Sequence, residues 1–390
     1  MNRRPFPTRY LPFLALLLLL ALYTLAGWVT EAHYLRVFGG GLYMFDFRVY
    51  ERALQDALAH KDPYLDRTIG TAFLYPPPAL LIIQLLALLP QGVRYLVVDG
   101  LYLTLLLLAV HLVRRTYRLP LAQTWWWYWV AAFLGPTLEA LTIGQINAIP
   151  ILGMTVLFAW EKRSQALSGL GLALAVLTKM SPLVLAGYLV CQRRWRILLW
   201  AGVCMLGAIL LTGLAYGFQH FAAFAGALSS AARFSTNDLN LQSLAAKLGA
   251  LGLLPIDSKP TFQTGLALYL GAVLLLSAAC HSFTREGEPL FVLSVFAMTL
   301  YPNIVWYHHY MFLLVPLFIL IAWSGQNRLV LAWAAALLLV IQVDRYRLTS
   351  GLLIHAMGHL TILGLLAYQV KQAIPAARRQ AALVWSRRAG

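Results

Sequence analysis

The chain has 390 residues, 61% hydrophobic and 11% charged, with mean hydropathy +0.71. A soluble globular chain carries about 25% charged residues, so this composition excludes one and describes a protein built into a lipid bilayer. Thirty Lys and Arg against 14 Asp and Glu leave a formal charge of +16, which here marks basic loops on one membrane face and contact with anionic lipid, not a nucleic-acid partner.

Cys191, Cys204 and Cys280 show neither CxxC nor Cys/His spacing, so neither a disulfide framework nor a zinc site is indicated. Residues 1–390 read as a single membrane-embedded domain. Arg3, Arg4 and Arg9 precede an apolar run from about Tyr10 to Val29 that lacks a small-x-small cleavage site. It reads as an uncleaved first helix with a cytoplasmic N-terminus.

Six of the fourteen acids, Glu31, Asp46, Glu51, Asp56, Asp62 and Asp66, fall in the next stretch. Residues 31–75 are therefore expected to be a polar external loop where chemistry starts. Within it Phe47, Tyr50, Leu54 and Ala57 or Leu58 recur at helical spacing, while Arg48, Glu51, Arg52 and Asp56 take the other face. This pattern predicts an amphipathic helix lying on the membrane. Asp46 stands at its start, either as the helix cap or as a base near the bilayer surface.

Apolar segments follow at 76–90, 93–113, 121–137, 145–160, 166–180, 182–191, 197–217, 262–282, 289–302, 307–323, 328–342 and 351–370. Basic clusters at Lys162 and Arg163, at Arg193, Arg194 and Arg196, at Arg285 and Arg328, and in the tail from Lys371 mark the cytoplasmic face. Three segments between 76 and 137 cannot all cross if their flanking loops share a side. Either the short 76–90 segment or the Trp-rich 121–137 segment is then partial. The expected fold is an all-α polytopic membrane protein with about twelve crossings, both termini cytoplasmic.

The opposite face collects the polar interruptions. Tyr75 and the prolines 76–78 set the angle at which the first loop meets the next helix. Gln145 and Asn147, in Gly144-Gln145-Ile146-Asn147, either hydrogen-bond a sugar or join neighbouring helices. Lys179, between two short apolar segments, either meets an anion in a cavity or snorkels to the surface. His308 and His309 are adjacent, about 100° apart on a helix, so they do not make a bidentate metal site. One is expected to face the site. The 218–261 stretch reads as a long external loop holding Arg233, Asn237, Asp238, Asn240, Gln242 and Ser243, a substrate lid or a solvated connection.

The succession Asp46, Tyr50, Ala53, Asp62-Pro63-Tyr64, Phe73 to Pro77, Gly144-Gln145-x-Asn147, Lys179-x-x-Pro182, Asn240-x-Gln242-Ser243 and Trp306-x-His308-His309 resembles glycosyltransferase family 87. Two positions depart from the family pattern: Val305 stands where Ser usually precedes the Trp, and Leu241 splits the Asn-Gln-Ser triplet. The resemblance implies the type C glycosyltransferase fold, a polyprenyl-phosphate sugar donor, a glycolipid or glycan acceptor, and inverting transfer, mannose being the family's sugar. It implies Asp46 as catalytic base. Lys179 and His308 or His309 would hold the donor phosphate, with Arg48 and Arg233 as further candidates. Tyr75, Gln145, Asn147, Asn240 and Gln242 would orient sugar and acceptor hydroxyls. No DxD-like carboxylate pair stands in the external loops, so metal-independent, cofactor-free catalysis is expected. A polysaccharide polymerase or ligase using lipid-linked glycans is the nearer rival, a secondary transporter or flippase the more distant; a transporter would concentrate ionisable groups at the midplane.

Overall fold

A computed structural model of the chain describes residues 43–66, 71–231, 242–284, 286–302, 304–343 and 348–389. The expected first helix from Tyr10, Gly39 to Gly41, Arg233, Asn240, Arg285 and the stretch Asp344 to Arg347 lie outside them. All regular structure among the described residues is helical.

Helix α1 (Phe45–Leu58) is the amphipathic helix that the spacing predicts. It buries Phe47, Val49, Tyr50, Ala53, Leu54 and Ala57. After the three prolines comes α2 (Ala79–Ala87), whose first N–H groups bond back to the carbonyls of Pro76 and Pro77. Nine residues span about 13 Å, less than half of a hydrocarbon core of about 30 Å. This segment is too short to cross. Helix α3 (Gln91–Thr116) is long enough.

The Trp-rich segment is two helices, α4 (Leu121–Phe133) and α5 (Gly135–Ile143), separated at Leu134 where the backbone turns extended. Pro136 accounts for the break, since it lacks an N–H and is tolerated only in a first helical turn. Then follow α6 (Ala148–Trp160), α7 (Gln165–Thr178), a 3₁₀ turn at Ser181–Leu183, α8 (Val184–Cys191) and α9 (Trp195–Tyr216).

The stretch expected to be one long loop carries α10 (Gln219–Ala231) and α11 (Leu244–Ala250). These helices are too short to register as crossings, which is why apolar length missed them. The chain continues through α12 (Lys259–Thr284), α13 (Gly287–Leu300), a 3₁₀ segment at Tyr307–Leu313, α14 (Leu314–Trp323) and α15 (Arg328–Val343). The last helix, α16 (Leu348–Ala389), runs 42 residues through Pro375, well past the apolar segment that ends at 370.

Four described helices are long and apolar enough to cross a membrane: Gln91–Thr116, Trp195–Tyr216, Lys259–Thr284 and Gly351–Arg379. Six more apolar helices are shorter. Burial sorts them. Helices α13 and α14 are buried almost throughout, whereas α9 exposes Leu199, Leu206, Leu210, Leu211 and Leu214, and α12 exposes Leu268, Leu275 and Leu276. Continuous apolar faces of that size need lipid to cover them. The chain is a polytopic membrane protein with a buried centre and lipid-facing outer helices.

Between apolar helices in lipid, close packing and buried hydrogen bonds provide the attraction. Gly153 of α6 and Gly171 of α7 meet backbone to backbone, and a Cβ on Gly171 would stand 2.6 Å from the Gly153 carbonyl oxygen. Ser277 Oγ donates to Gln369 Oε1 at 2.6 Å, tying α12 to α16, and Trp333 Nε1 donates to Thr361 Oγ1 at 2.8 Å. The substitution Gly171→Leu is expected to prise α6 from α7 and cost about 1–3 kcal/mol, read as a lower thermal midpoint of the purified protein in detergent. An unchanged midpoint would show that the contact is dispensable.

Candidate functional site

Four chain interruptions meet around one cleft: the start of α1, the α5–α6 turn, the end of α7 and the start of the 3₁₀ segment. The α5–α6 turn is the organising one. Gly144 ends α5 in the left-handed region (φ +72°), where a side chain would be strained. A Cβ there would also stand 2.6 Å from Met44 Sδ and 2.7 Å from Phe47 Cβ. The bare glycine lets α1 lie directly on the turn, and the Met44 N–H closes the join by donating to the Thr142 carbonyl at 2.7 Å.

With α1 so placed, Asp46 does not cap its own helix. The cap position is Met44 and makes no side-chain bond. The Asp46 carboxylate instead accepts from the side-chain amide of Gln145. Gln145 is itself held at its other end: Tyr75 donates to Oε1 at 2.7 Å, and the Tyr50 hydroxyl lies 3.1 Å from the same oxygen and 2.8 Å from Tyr75. The two tyrosines occupy the amide oxygen, so the amide N–H groups face the carboxylate. Asp62-Pro63-Tyr64 supports this arrangement from behind. Asp62 accepts from the Tyr64 N–H at 2.8 Å, and the Tyr64 hydroxyl donates to the Tyr75 carbonyl at 2.8 Å.

Lys179 follows the last residue of α7 in extended conformation. Its Nζ lies 3.0 Å from Asn147 Oδ1 and 2.8 Å from His309 Nε2. The Trp306 N–H donates to His309 Nδ1 at 3.2 Å, so that nitrogen carries no proton and Nε2 does. An Nε2–H pointing at Nζ requires a lone pair there. In this arrangement Lys179 is a neutral amine that accepts from His309 and donates to Asn147. Burial acts in the same direction, pushing Lys179 down to about 7 while the charge of Asp46 partly opposes it. Burial likewise pushes the Asp46 carboxyl up, against the pull of His308 and the Gln145 bond.

Asp46, Tyr50, Tyr75, Gln145, Lys179, Trp306 and His309 line one cleft of about 190 Å³. Ligand sites for drug-sized molecules run roughly 300–1,000 Å³, so this cleft suits a single polar headgroup. No direct ion pair joins Asp46 to Lys179 among the described residues. The carboxylate and the amine stand apart along the cleft wall.

The two histidines part company. His309 lines the cleft, whereas His308 turns inward and its Nδ1 lies 3.1 Å from Glu139 Oε1 of α5. They follow one another in a 3₁₀ segment, where successive residues turn about 120°. Asn147 reaches both sides, its amide lying 3.5 Å from the His308 carbonyl. Arg48 is exposed on α1 and does not line the cleft. Gln242 is buried outside it: its N–H donates to the Val305 carbonyl at 2.5 Å, and its carbonyl accepts from Tyr310 at 3.2 Å and lies 2.8 Å from His355 Nε2. It ties α11 to the 3₁₀ segment and to α16. Position 305 contributes its backbone to that join, so the Val side chain does not alter it. Arg233 and Asn240 lie outside the described residues.

Sequence reasoning missed Tyr50 as a site residue and Glu139 altogether. Glu139 is a lone carboxylate just past an apolar segment, and that isolation was the available signal.

One narrow cleft of this membrane protein thus carries a carboxylate, an amine and a side-chain amide. The chain belongs to glycosyltransferase family 87, whose profile matches residues 73–306, more than half of its length. It is 25% identical over 323 residues to the polyprenol-phosphate-mannose-dependent alpha-(1-2)-phosphatidylinositol mannoside mannosyltransferase of Mycobacterium tuberculosis, covering 75% of this chain and 74% of that one. No solved structure matches. Asp46 and both histidines fall outside the matched span; Asp46 and His309 line the cleft, and His308 does not.

Gly144→Ala should displace α1 from the turn and pull Asp46 off Gln145. We expect at least a tenfold loss of sugar-transfer activity together with destabilisation of about 1–3 kcal/mol. Wild-type activity in a purified Gly144→Ala protein would refute this account of how the carboxylate is held.

Proposed function

We propose that the chain transfers mannose from a polyprenyl-phosphate donor to a hydroxyl of a membrane glycolipid at the extracytoplasmic face, inverting the sugar's anomeric carbon. The observation that carries this reading is the single cleft lined by Asp46 and Lys179 without an ion pair between them. The donor and acceptor classes are those of the mycobacterial mannosyltransferase. The fold we read is of type C, with about twelve crossings and both termini cytoplasmic; residues 31–75 then form the external catalytic loop.

The acceptor hydroxyl attacks the anomeric carbon as its proton passes to Asp46. The bond from that carbon to the phosphate oxygen breaks, and the electron pair leaves with the polyprenyl phosphate. Burial raises the proton affinity of Asp46, which suits it as a general base. Phosphate is already a good leaving group, so no general acid is needed where donors meet the departing charge. Lys179 and His309 supply those donors, and Tyr75 and Gln145 orient hydroxyls, while Asn147, buried behind the cleft, holds Lys179. Arg233 remains a further candidate for the phosphate and Asn240 for sugar or acceptor hydroxyls. Arg48 and Gln242 have no part in this scheme. The transfer as drawn uses no metal ion and no cofactor.

Asp46→Asn keeps an acceptor for the Gln145 amide but cannot take a proton. Its turnover is expected to fall by at least about 100-fold with donor binding retained; turnover near the wild-type rate would remove Asp46 from the role of base.

Lys179 gives a second test. An amine pushed down to about 7 must hold a proton to pair with the phosphate of the donor. That proton is available below pH 7 and scarcer above it, so donor affinity should fall as pH rises, by up to about tenfold per unit between 7 and 9. The sugar-phosphate diester stays singly charged over this range, so the change belongs to the protein. Lys179→Arg, whose guanidinium keeps its proton, should flatten the dependence. A flat wild-type profile would overturn the assignment.

A further inference from the structure

Glu51 and Arg94 are charged residues that the transfer scheme leaves unused. Glu51 lies on α1, the helix that carries Asp46, and Arg94 lies near the start of α3. Their side chains are only 15% and 18% exposed, and they form an ion pair in which Arg94 Nη1 donates to Glu51 Oε1. The same guanidinium donates from Nη2 to the carbonyls of Ala87 at 2.7 Å and Leu89 at 2.8 Å, and from Nε to Leu89 at 3.0 Å. Those carbonyls stand at and just past the end of α2, where a helix leaves its last C=O groups without intrahelical partners. Arg94 therefore ties α1, α2 and α3 together through one rigid fork.

The ion pair closes one end of a seam between α1 and α3. Phe47 and Glu51 are four residues apart on one face of α1, and Tyr43 stands four residues before them. The Tyr43 hydroxyl donates to Asp99 at 3.1 Å, the Phe47 ring meets the Tyr95 ring edge-on at 6.0 Å, and the Tyr95 hydroxyl donates to Glu51 Oε2 at 3.3 Å. Asp46 and Tyr50 lie on a different face of α1, the one that lines the cleft. The Gly144 join fixes only the start of this helix. Glu51, about 7 Å further along the axis, fixes its rotation. The donor side of the cleft is separate, because Lys179 and His309 come from the end of α7 and the 3₁₀ segment.

We propose that Glu51 and Arg94 are positioning residues for the transfer: together they set the rotation of α1 on α3, and with it the direction in which Asp46 meets the acceptor hydroxyl. This rests on the transferase reading given above. Neither residue lines the cleft, so neither touches the reacting atoms. They act through Asp46, whose carboxylate must point along the attack path. A misplacement of about 1 Å at such a group can cost about 100-fold in rate. Loss of the pair thus weakens proton removal and leaves the phosphate contacts in place.

The test uses the full-length protein in detergent with polyprenyl-phosphate mannose and a phosphatidylinositol mannoside acceptor. Donor-binding sites are titrated in each preparation, and kcat is expressed per site. Glu51→Gln keeps the shape and removes the charge, and should lower kcat per site about tenfold with donor KM within twofold. Arg94→Lys keeps the charge, but one ammonium cannot replace the fork that holds Glu51 and both carbonyls, and kcat per site should fall as far. The double variant should be no slower than the slower single variant, because both residues act through one contact. A merely structural pair would cost binding sites and thermal midpoint while kcat per site stayed at the wild-type value, and that result overturns the proposal. So does a loss confined to donor KM, or a double variant slowed by the product of the two single effects. If Arg94→Lys fails to fold, Glu51→Gln alone decides. A wild-type protein that binds this donor yet transfers nothing to any lipid acceptor overturns the transferase reading itself, and the proposal with it.

Discussion

The hydrogen bond between the Gln145 amide and the Asp46 carboxylate is the contact on which the rest of the site depends. Burial disfavours the charge of Asp46, and the amide donor is part of what offsets it. Gln145 can serve only because Tyr50 and Tyr75 engage its oxygen. Asp46 can reach it only because Gly144 lets α1 lie against the turn. The first loop, the tyrosine after it and the α5–α6 turn are thus one mechanical unit, although about a hundred residues separate its ends.

The broken helices have the same logic. Inside a bilayer a helix satisfies its own backbone, and only its ends expose free N–H and C=O groups. This chain ends α5 and α7 and begins the 3₁₀ segment around one cleft. Pro136 breaks one helix, the extended Lys179 ends another, and Trp306 lends its N–H to His309. Polar backbone is therefore concentrated where a sugar-phosphate would need it and is kept from the apolar faces of α9 and α12. Irregular backbone lining a cavity is the tolerated exception to helical continuity in membranes.

Much of this was legible from residue order. The helical spacing from Phe47 to Ala57 gave the correct buried face of α1, and Asp46, Tyr75, Gln145, Lys179 and one histidine line one cleft, while Asn147 is buried behind it and bonded to Lys179. The rest failed for physical reasons. Apolar length detects crossings, so α10 and α11 were invisible, and so was the continuation of α16 past Pro375. Treating His308 and His309 as α-helical gave the wrong angle, because a 3₁₀ geometry depends on the Trp306 bond to His309 and not on composition. Arg48 and Gln242 have the right chemistry and the wrong direction: one faces out, the other is spent joining three elements. Glu139 was overlooked because a single acid beside an apolar run carries no periodic signal, while its meaning comes from a histidine 169 positions later.

The cleft also explains how a membrane protein can keep ionisable groups near lipid. With Lys179 neutral and bonded to His309 and Asn147, the cleft holds fewer charges than its residues suggest. On the proposed reading the donor brings the missing anion and Lys179 takes its proton only then, so the charge pair exists while both partners are present to share it. A permanently charged lysine in the same place would bear its desolvation cost in every resting molecule. The surplus of sixteen positive charges is mostly a matter of topology. On the proposed reading the cation that meets the phosphate is a single lysine, which takes its proton when the donor arrives.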